Sequence, residues 1–204
     1  MDEPENSKNN QDARFRPSLE AVRAEIEILK EREAKRREFK ETVCGILLII
    51  MGILLLNLYV VRLASVNGAS MEPTLYSGDI VVCSPLGYRP DYGDIVITKM
   101  SAGEGPLIKR IIALPGDTVD IDFEKGTVLV NGTELEETYI SDTIKQKGDV
   151  QFPVTVPEGR VFLLGDNRNN SLDSRYSVVG MVPQCTLMGH VFYRIFPFNR
   201  MGRL

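Results

Sequence analysis

The sequence holds a single histidine, His190, among 204 residues. No histidine lies near Ser70 in "VNGASMEPTL" (66–75). If that serine is a nucleophile rather than a turn residue, another group must take its proton. Cysteine is scarce too: Cys44, Cys83 and Cys185 form no Cys-x-x-Cys and no His/Cys cluster. Neither a metal site nor a cofactor is therefore expected. Cys83 and Cys185 could pair or remain two isolated buried thiols. Repeats and low-complexity tracts are absent. The second half also lacks any helical pattern of 10–15 residues between its apolar segments, which argues against a βαβ sheet.

Charge is missing from one long stretch, "TVCGILLIIMGILLLNLYVV" (42–61). About 20 apolar residues cross a hydrocarbon core of roughly 30 Å at about 1.5 Å per residue. A cleaved leader fits poorly, because 41 residues precede the run and no small-residue cleavage site follows at once. Residues 42–61 are read as one permanent transmembrane helix, and no second run of this length exists. Lys30, Arg32, Lys35, Arg36, Arg37 and Lys40 precede it; Arg62 follows, and then no Lys or Arg until Arg89. The basic side stays in the cytoplasm, so residues 1–41 are expected inside and 62–204 outside, in a single-pass topology. Within the inner tail, 1–16 read as disordered. Residues 18–41 read as helical, with Leu19, Val22, Ile26 and Leu29 on one face and Glu31–Lys35 and Glu33–Arg37 as i,i+4 pairs. That helix is either solvated or a short coiled coil with a partner.

Residues 62–204, about 140 in number, suffice for a core of their own. Six short Val- and Ile-rich segments, most of them bounded by Gly, Pro, Asp or Asn, read as strands: 78–84, 93–100, 107–114, 118–123, 126–132 and 160–166. Asn131-Gly132 is a hairpin turn signal. The fold class is mainly β and antiparallel.

A base for Ser70 can be sought among these strands. In "LIKRIIALPGD" (107–117), alternation puts Leu107, Lys109 and Ile111 on one face and Ile108 and Arg110 on the other. Lys109 is thus flanked by apolar side chains, with Arg110 turned away. A lysine of pKa about 10.4 needs about 4.6 kcal/mol to be neutral at pH 7, and burial can remove most of that cost. The bland alternative is a surface lysine on an edge strand.

"GASMEPTL" (68–75), "YGDIVI" (92–97), "KRIIALPGD" (109–117) and "GDNRNNSLDSR" (165–175) together resemble the successive boxes of bacterial type I signal peptidase. "GHVFYRIFPFNRMG" (189–202) resembles that family's C-terminal segment. The single anchor resembles the Gram-positive branch. The resemblance implies a partly open β-barrel peptidase domain, with 118–158 as a β-rich insertion away from the chemistry. It implies a membrane-anchored serine endopeptidase that removes signal peptides from exported preproteins after small residues, in the A-x-A pattern.

By the same resemblance, Ser70 is the nucleophile and Lys109 its base. Ser171 would orient Lys109, with Asp166, Asp173 and Arg175 as a supporting shell. The Ser70 N–H is the first oxyanion donor. Some relatives add a hydroxyl two positions earlier; here Gly68 has none, so a backbone N–H or a water would be the second donor, or Gly68 serves only a turn of positive φ. Val66, Met71, Leu75, Leu107 and Ile108 are walls of the substrate pockets or ordinary core. His190 is expected exposed and not catalytic. Expected partners are signal peptides of preproteins, membrane lipid and the secretion machinery, with no nucleic acid. Three competitors are a self-cleaving repressor-type Ser–Lys protease, disfavoured by the membrane helix; a signal peptidase of the eukaryotic type with histidine as base, disfavoured by Lys109; and an inactive tethered β-domain that only binds, disfavoured by intact Ser70, Lys109 and Ser171.

Overall fold

The computed structural model describes residues 18–99 and 105–204. The disorder expected of residues 1–16, and Met100 of the expected 93–100 strand, lie outside them. The chain divides into a helical unit ending at Ile53 and a second unit, Leu54–Leu204.

One helix, α1 (Leu19–Tyr59), takes in both the expected 18–41 helix and most of the apolar run. Ser18 caps it, its Oγ accepting the Ala21 N–H at 3.2 Å. Among the described residues, the i,i+4 ion pair formed in α1 is Arg37–Glu41 rather than the two expected pairs. Among the described residues, α1 is the helix long and apolar enough to cross a membrane, and its apolar window is fully exposed.

The second unit is mainly β. Its strands are β1 (Arg62–Ser65), β2 (Ile80–Ser84), β3 (Ile95–Thr98), β4 (Leu107–Ala113), β5 (Thr118–Asp122), β6 (Thr127–Val130), β7 (Thr133–Glu134), β8 (Val154–Thr155), β9 (Arg160–Leu164), β10 (Val182–Pro183), β11 (Leu187–Phe196) and β12 (Gly202–Arg203). The large sheet runs β1-β2-β11-β3-β4-β9-β10, with β12 on β11, and every pair in it is antiparallel. Its end strands do not pair with each other among the described residues, so the sheet is open. All six expected strands are present, slightly trimmed. The longest one, β11, was not expected. Two irregularities in its pairing with β2, at Val191/Tyr193 and Arg194/Phe196, break the period of two.

A smaller sheet, β7-β6-β5-β8, lies inside the expected 118–158 insertion. Asn131 (φ 53°) and Gly132 (φ 78°) make its two-residue hairpin, both in the left-handed region that this turn requires. The insertion does not have a core to itself: its Val119, Ile121, Val128 and Val130 pack in one cluster with Ile112, Ala113, Phe162 and Leu164 of β4 and β9. A second cluster, with Val66, Met71, Leu75, Val81, Ile95, Ile97 and Val191, lies beneath the turn that carries Ser70.

Candidate active site

The turn from Val66 to Asp79 joins β1 to β2 and closes on itself: Val66 N–H donates to Asp79 O and Gly78 N–H to Val66 O, both at 2.9 Å. Gly68 has φ +90°, a conformation that a side chain would strain, and its N–H donates to Ser77 Oγ at 3.3 Å. Buried Asp79 anchors the far end, accepting from Arg194 at 3.2 Å and Arg200 at 2.9 Å, while Arg194 also donates to Thr74 O. The C-terminal segment thus clamps the serine turn.

Lys109 is on β4, which lies between β3 and β9 rather than at an edge. Only 2% of the residue is exposed. Its Nζ donates to Ser70 Oγ at 2.8 Å and to Ile108 O at 3.0 Å. Burial pushes its pKa down to about 8, against the opposing pull of the Asp173 and Asp166 carboxylates. A base this close to neutrality, in contact with a hydroxyl, can take that hydroxyl's proton in mildly alkaline water.

Beside the pair lies a cavity of about 290 Å³. Its lining includes Val66, Met71, Leu107 and Ile108 together with Ser70 and Lys109. Leu75 does not reach it; it is fully buried in the cluster under the turn.

The segment 165–175 wraps the other side. Asp166 accepts a bidentate pair from Arg110 (2.9 and 2.7 Å) and the Thr74 hydroxyl. Arg175 grips Asp173 through Nε and Nη2, both at 2.8 Å, and Asp173 also accepts the Gly165 N–H. Both members of that ion pair are fully buried. Ser171 comes up beside the site, but its buried Oγ makes no hydrogen bond. It packs against Gly165, whose absent Cβ would fall 2.2 Å from Ser171 Oγ. The expected Ser171–Lys109 bond is therefore not formed, and Lys109 uses Ser70 and Ile108 instead.

Several supporting residues had no sequence signal. Arg168 pairs with Glu137, and the Arg110 guanidinium lies 4.0 Å above the Tyr139 ring. Glu137 and Tyr139 belong to the insertion, which thus supports the site rather than standing apart from it. Asn167 donates to two carbonyls of the serine turn. Elsewhere, half-buried His190 stacks on Tyr88 and faces Asp94 at 3.5 Å. Cys83 and Cys185 are both free; Cys185 is exposed rather than buried, because it sits in the short turn before β11.

Residues 39–196 match the family model for signal peptidase, peptidase S26. The chain is 36% identical over 176 residues to a probable signal peptidase I-1 of Synechocystis sp., covering 81% of this chain and 86% of that one. It is 34% identical over 180 residues to a signal peptidase I of Bacillus licheniformis, covering 83% and 95%. A solved signal peptidase I from Enterococcus faecalis aligns at 31% identity over 50% of this chain and 97% of that one, with a TM-score of 0.40. With more than half its length inside the family model, and relatives above 30% identity along most of their own length, the chain belongs to the signal peptidase family, peptidase S26.

Proposed function

We propose that this signal peptidase cleaves preproteins with Ser70 as nucleophile and Lys109 as general base. The observation that carries the reading is the 2.8 Å contact between Lys109 Nζ and Ser70 Oγ, made by a lysine that burial holds near neutrality. With Nζ neutral, the same contact takes the hydroxyl proton. Ser70 Oγ then bonds to the scissile carbonyl carbon, and the carbonyl pair moves onto its oxygen, which the Ser70 N–H stabilises. Collapse breaks the C–N bond, and the departing amine takes the proton from Lys109. A water then gives its proton to Lys109 and attacks the acyl ester. Ser70 Oγ leaves and regains a proton.

Substrate selection follows from the cavity. Val66, Met71, Leu107 and Ile108 leave about 290 Å³ of mostly apolar space beside Ser70, which suits the small residues of an A-x-A site bound in extended form. Gly68 offers no side-chain hydroxyl, so the second oxyanion donor is a backbone N–H or a water. Asp166 ties the 165–175 segment to the turn through Thr74 and the Asp173–Arg175 pair braces that segment from within, while Ser171 Oγ stands beside the site without a hydrogen bond.

Localisation belongs to the same reading. Residues 42–61 anchor the chain in the membrane lipid once, residues 1–41 stay in the cytoplasm, and the peptidase domain, residues 62–204 with its 118–158 insertion, works on the outer face, where the secretion machinery delivers preproteins. What supports this is the exposed apolar length of α1 and the Lys and Arg that precede it. The test is incubation of a preprotein with the full detergent-solubilised chain and with Ser70→Ala, with mass spectrometry of the products. A single cut after a small residue, made by the wild type alone, is expected. Cleavage by Ser70→Ala at the wild-type rate overturns the reading.

A further inference from the structure

Two successive carbonyls, on either side of the Ser70 Cα, are held by one residue. Asn167 Nδ2 donates to Ala69 O at 3.0 Å, and the Asn167 backbone N–H donates to Ser70 O at 3.0 Å. Ala69 O also accepts the Glu72 N–H at 3.2 Å. The Ser70 N–H, by contrast, donates to no group among the described residues. In a planar trans peptide the carbonyl and the N–H of the same unit point in opposite directions. A donor that fixes Ala69 O on one side therefore aims the Ser70 N–H at the other.

We propose that Asn167 is a positioning residue for oxyanion binding: its side-chain amide sets the plane of the Ala69–Ser70 peptide, and so the direction of the Ser70 N–H. The inference rests on Ser70 being the nucleophile. Three features give it weight. Gly68 brings no hydroxyl to the site, so the aim of the Ser70 N–H counts for more. The 165–167 backbone is pressed onto the turn, since a Cβ at Gly165 would lie 2.5 Å from Ser70 O; Asn167 thus acts from a fixed platform. A peptide whose carbonyl already accepts hydrogen bonds is polarised, which strengthens its N–H as a donor. Asparagine suits the task because it donates without charge. Aspartate, of nearly the same shape, would set an oxygen against the Ala69 oxygen.

The experiment uses the full chain in detergent, a peptide substrate, and two inhibitors of the same sequence. The peptide aldehyde adds Ser70 to form a tetrahedral oxyanion; the peptide alcohol cannot. Loss of a whole oxyanion donor lowers kcat by about 10²–10³, and loss of its aim should lower it by roughly 10–100-fold. Asn167→Asp and Asn167→Ala should show that fall in kcat with KM unchanged. The aldehyde should weaken by the same factor, the alcohol should bind as before, and the pH profile should keep its inflection, because the Lys109–Ser70 contact is untouched. A kcat near wild type, or equal weakening of both inhibitors, overturns the inference. Loss of a cooperative melt in both variants assigns Asn167 to the scaffold and overturns it too. Ser70→Ala separates the two readings: if it cleaves, the nucleophile assignment falls; if it is inactive while the Asn167 variants behave as wild type, only this inference falls.

Discussion

Replacing Lys109 by methionine should abolish turnover and make the protein more stable at neutral pH. The lysine is 2% exposed, and its pKa falls from an ordinary 10.5 to about 8 because the charged form is poorly solvated there. At about 1.36 kcal/mol per pKa unit, the gap corresponds to roughly 3 kcal/mol against folding with Nζ charged. Methionine fills similar space without that cost. The sign of the pH dependence follows from proton counting. Below pH 8 both folded and unfolded wild type carry the proton, and the whole penalty acts. Between 8 and 10.5 the unfolded chain binds more protons than the folded one, so wild-type stability climbs with pH relative to the variant. Above 10.5 the penalty is gone. Other groups titrate in both proteins and cancel in the difference. The advantage of Lys109→Met should therefore shrink by roughly 3 kcal/mol between pH 7 and pH 10.5, a convergence of about 6–12 °C in melting temperature for a domain of this size. Thermal melts by far-ultraviolet circular dichroism at the two pH values read it. A wild type more stable than the variant at pH 7, or a difference that does not move with pH, would refute the claim that burial holds this lysine near neutrality.

Other substitutions test the frame around the pair. Gly165→Ala should destabilise by about 1–3 kcal/mol and lower kcat, because its Cβ would meet Ser70 O at 2.5 Å and Ser171 Oγ at 2.2 Å; denaturant titration and steady-state kinetics check both. Arg175→Ala should cost roughly 3–5 kcal/mol, since it strands Asp173 fully buried without its ion-pair partner; an unchanged melt would contradict it. Ile108→Ala should widen the cavity and admit larger residues before the cut, which a library of peptides varied at that position would reveal by relative kcat/KM.

Ser70 and Lys109 stood out through the boxes that resemble the family; the local pattern alone, a serine in a turn of small residues and a lysine among apolar neighbours on a strand, left a turn serine and a surface lysine open, and the structure brings the two within 2.8 Å. The hairpin at Asn131-Gly132 was legible from its local turn signal. What was hidden depends on contacts distant in sequence. Arg110 was read only as pointing away from the site, yet it lands on Asp166, 56 positions on. Asn167 reaches Ala69 across 98 positions, and Glu137 and Tyr139 of the insertion reach back to Arg168 and Arg110. No periodicity encodes such pairings. β11 escaped because its bulges break alternation, and Leu75 could be read as a wall or as core, because an apolar residue near a site looks the same in sequence whether it faces the cavity or, as here, the core. Ser171 stands in the right segment and packs against Gly165, a contact distant from any local signal, and its Oγ makes no hydrogen bond.

The most direct test of the dyad is the pH dependence of kcat/KM for the wild type, with Lys109→Arg measured beside it. The rate should rise tenfold per pH unit below about pH 8 and level off above it, tracking the loss of the Lys109 proton. Lys109→Arg should be inactive throughout, because a guanidinium keeps its proton at every working pH. A flat profile between pH 6 and 10, or an arginine variant that cleaves at the wild-type rate, would contradict Lys109 as the base.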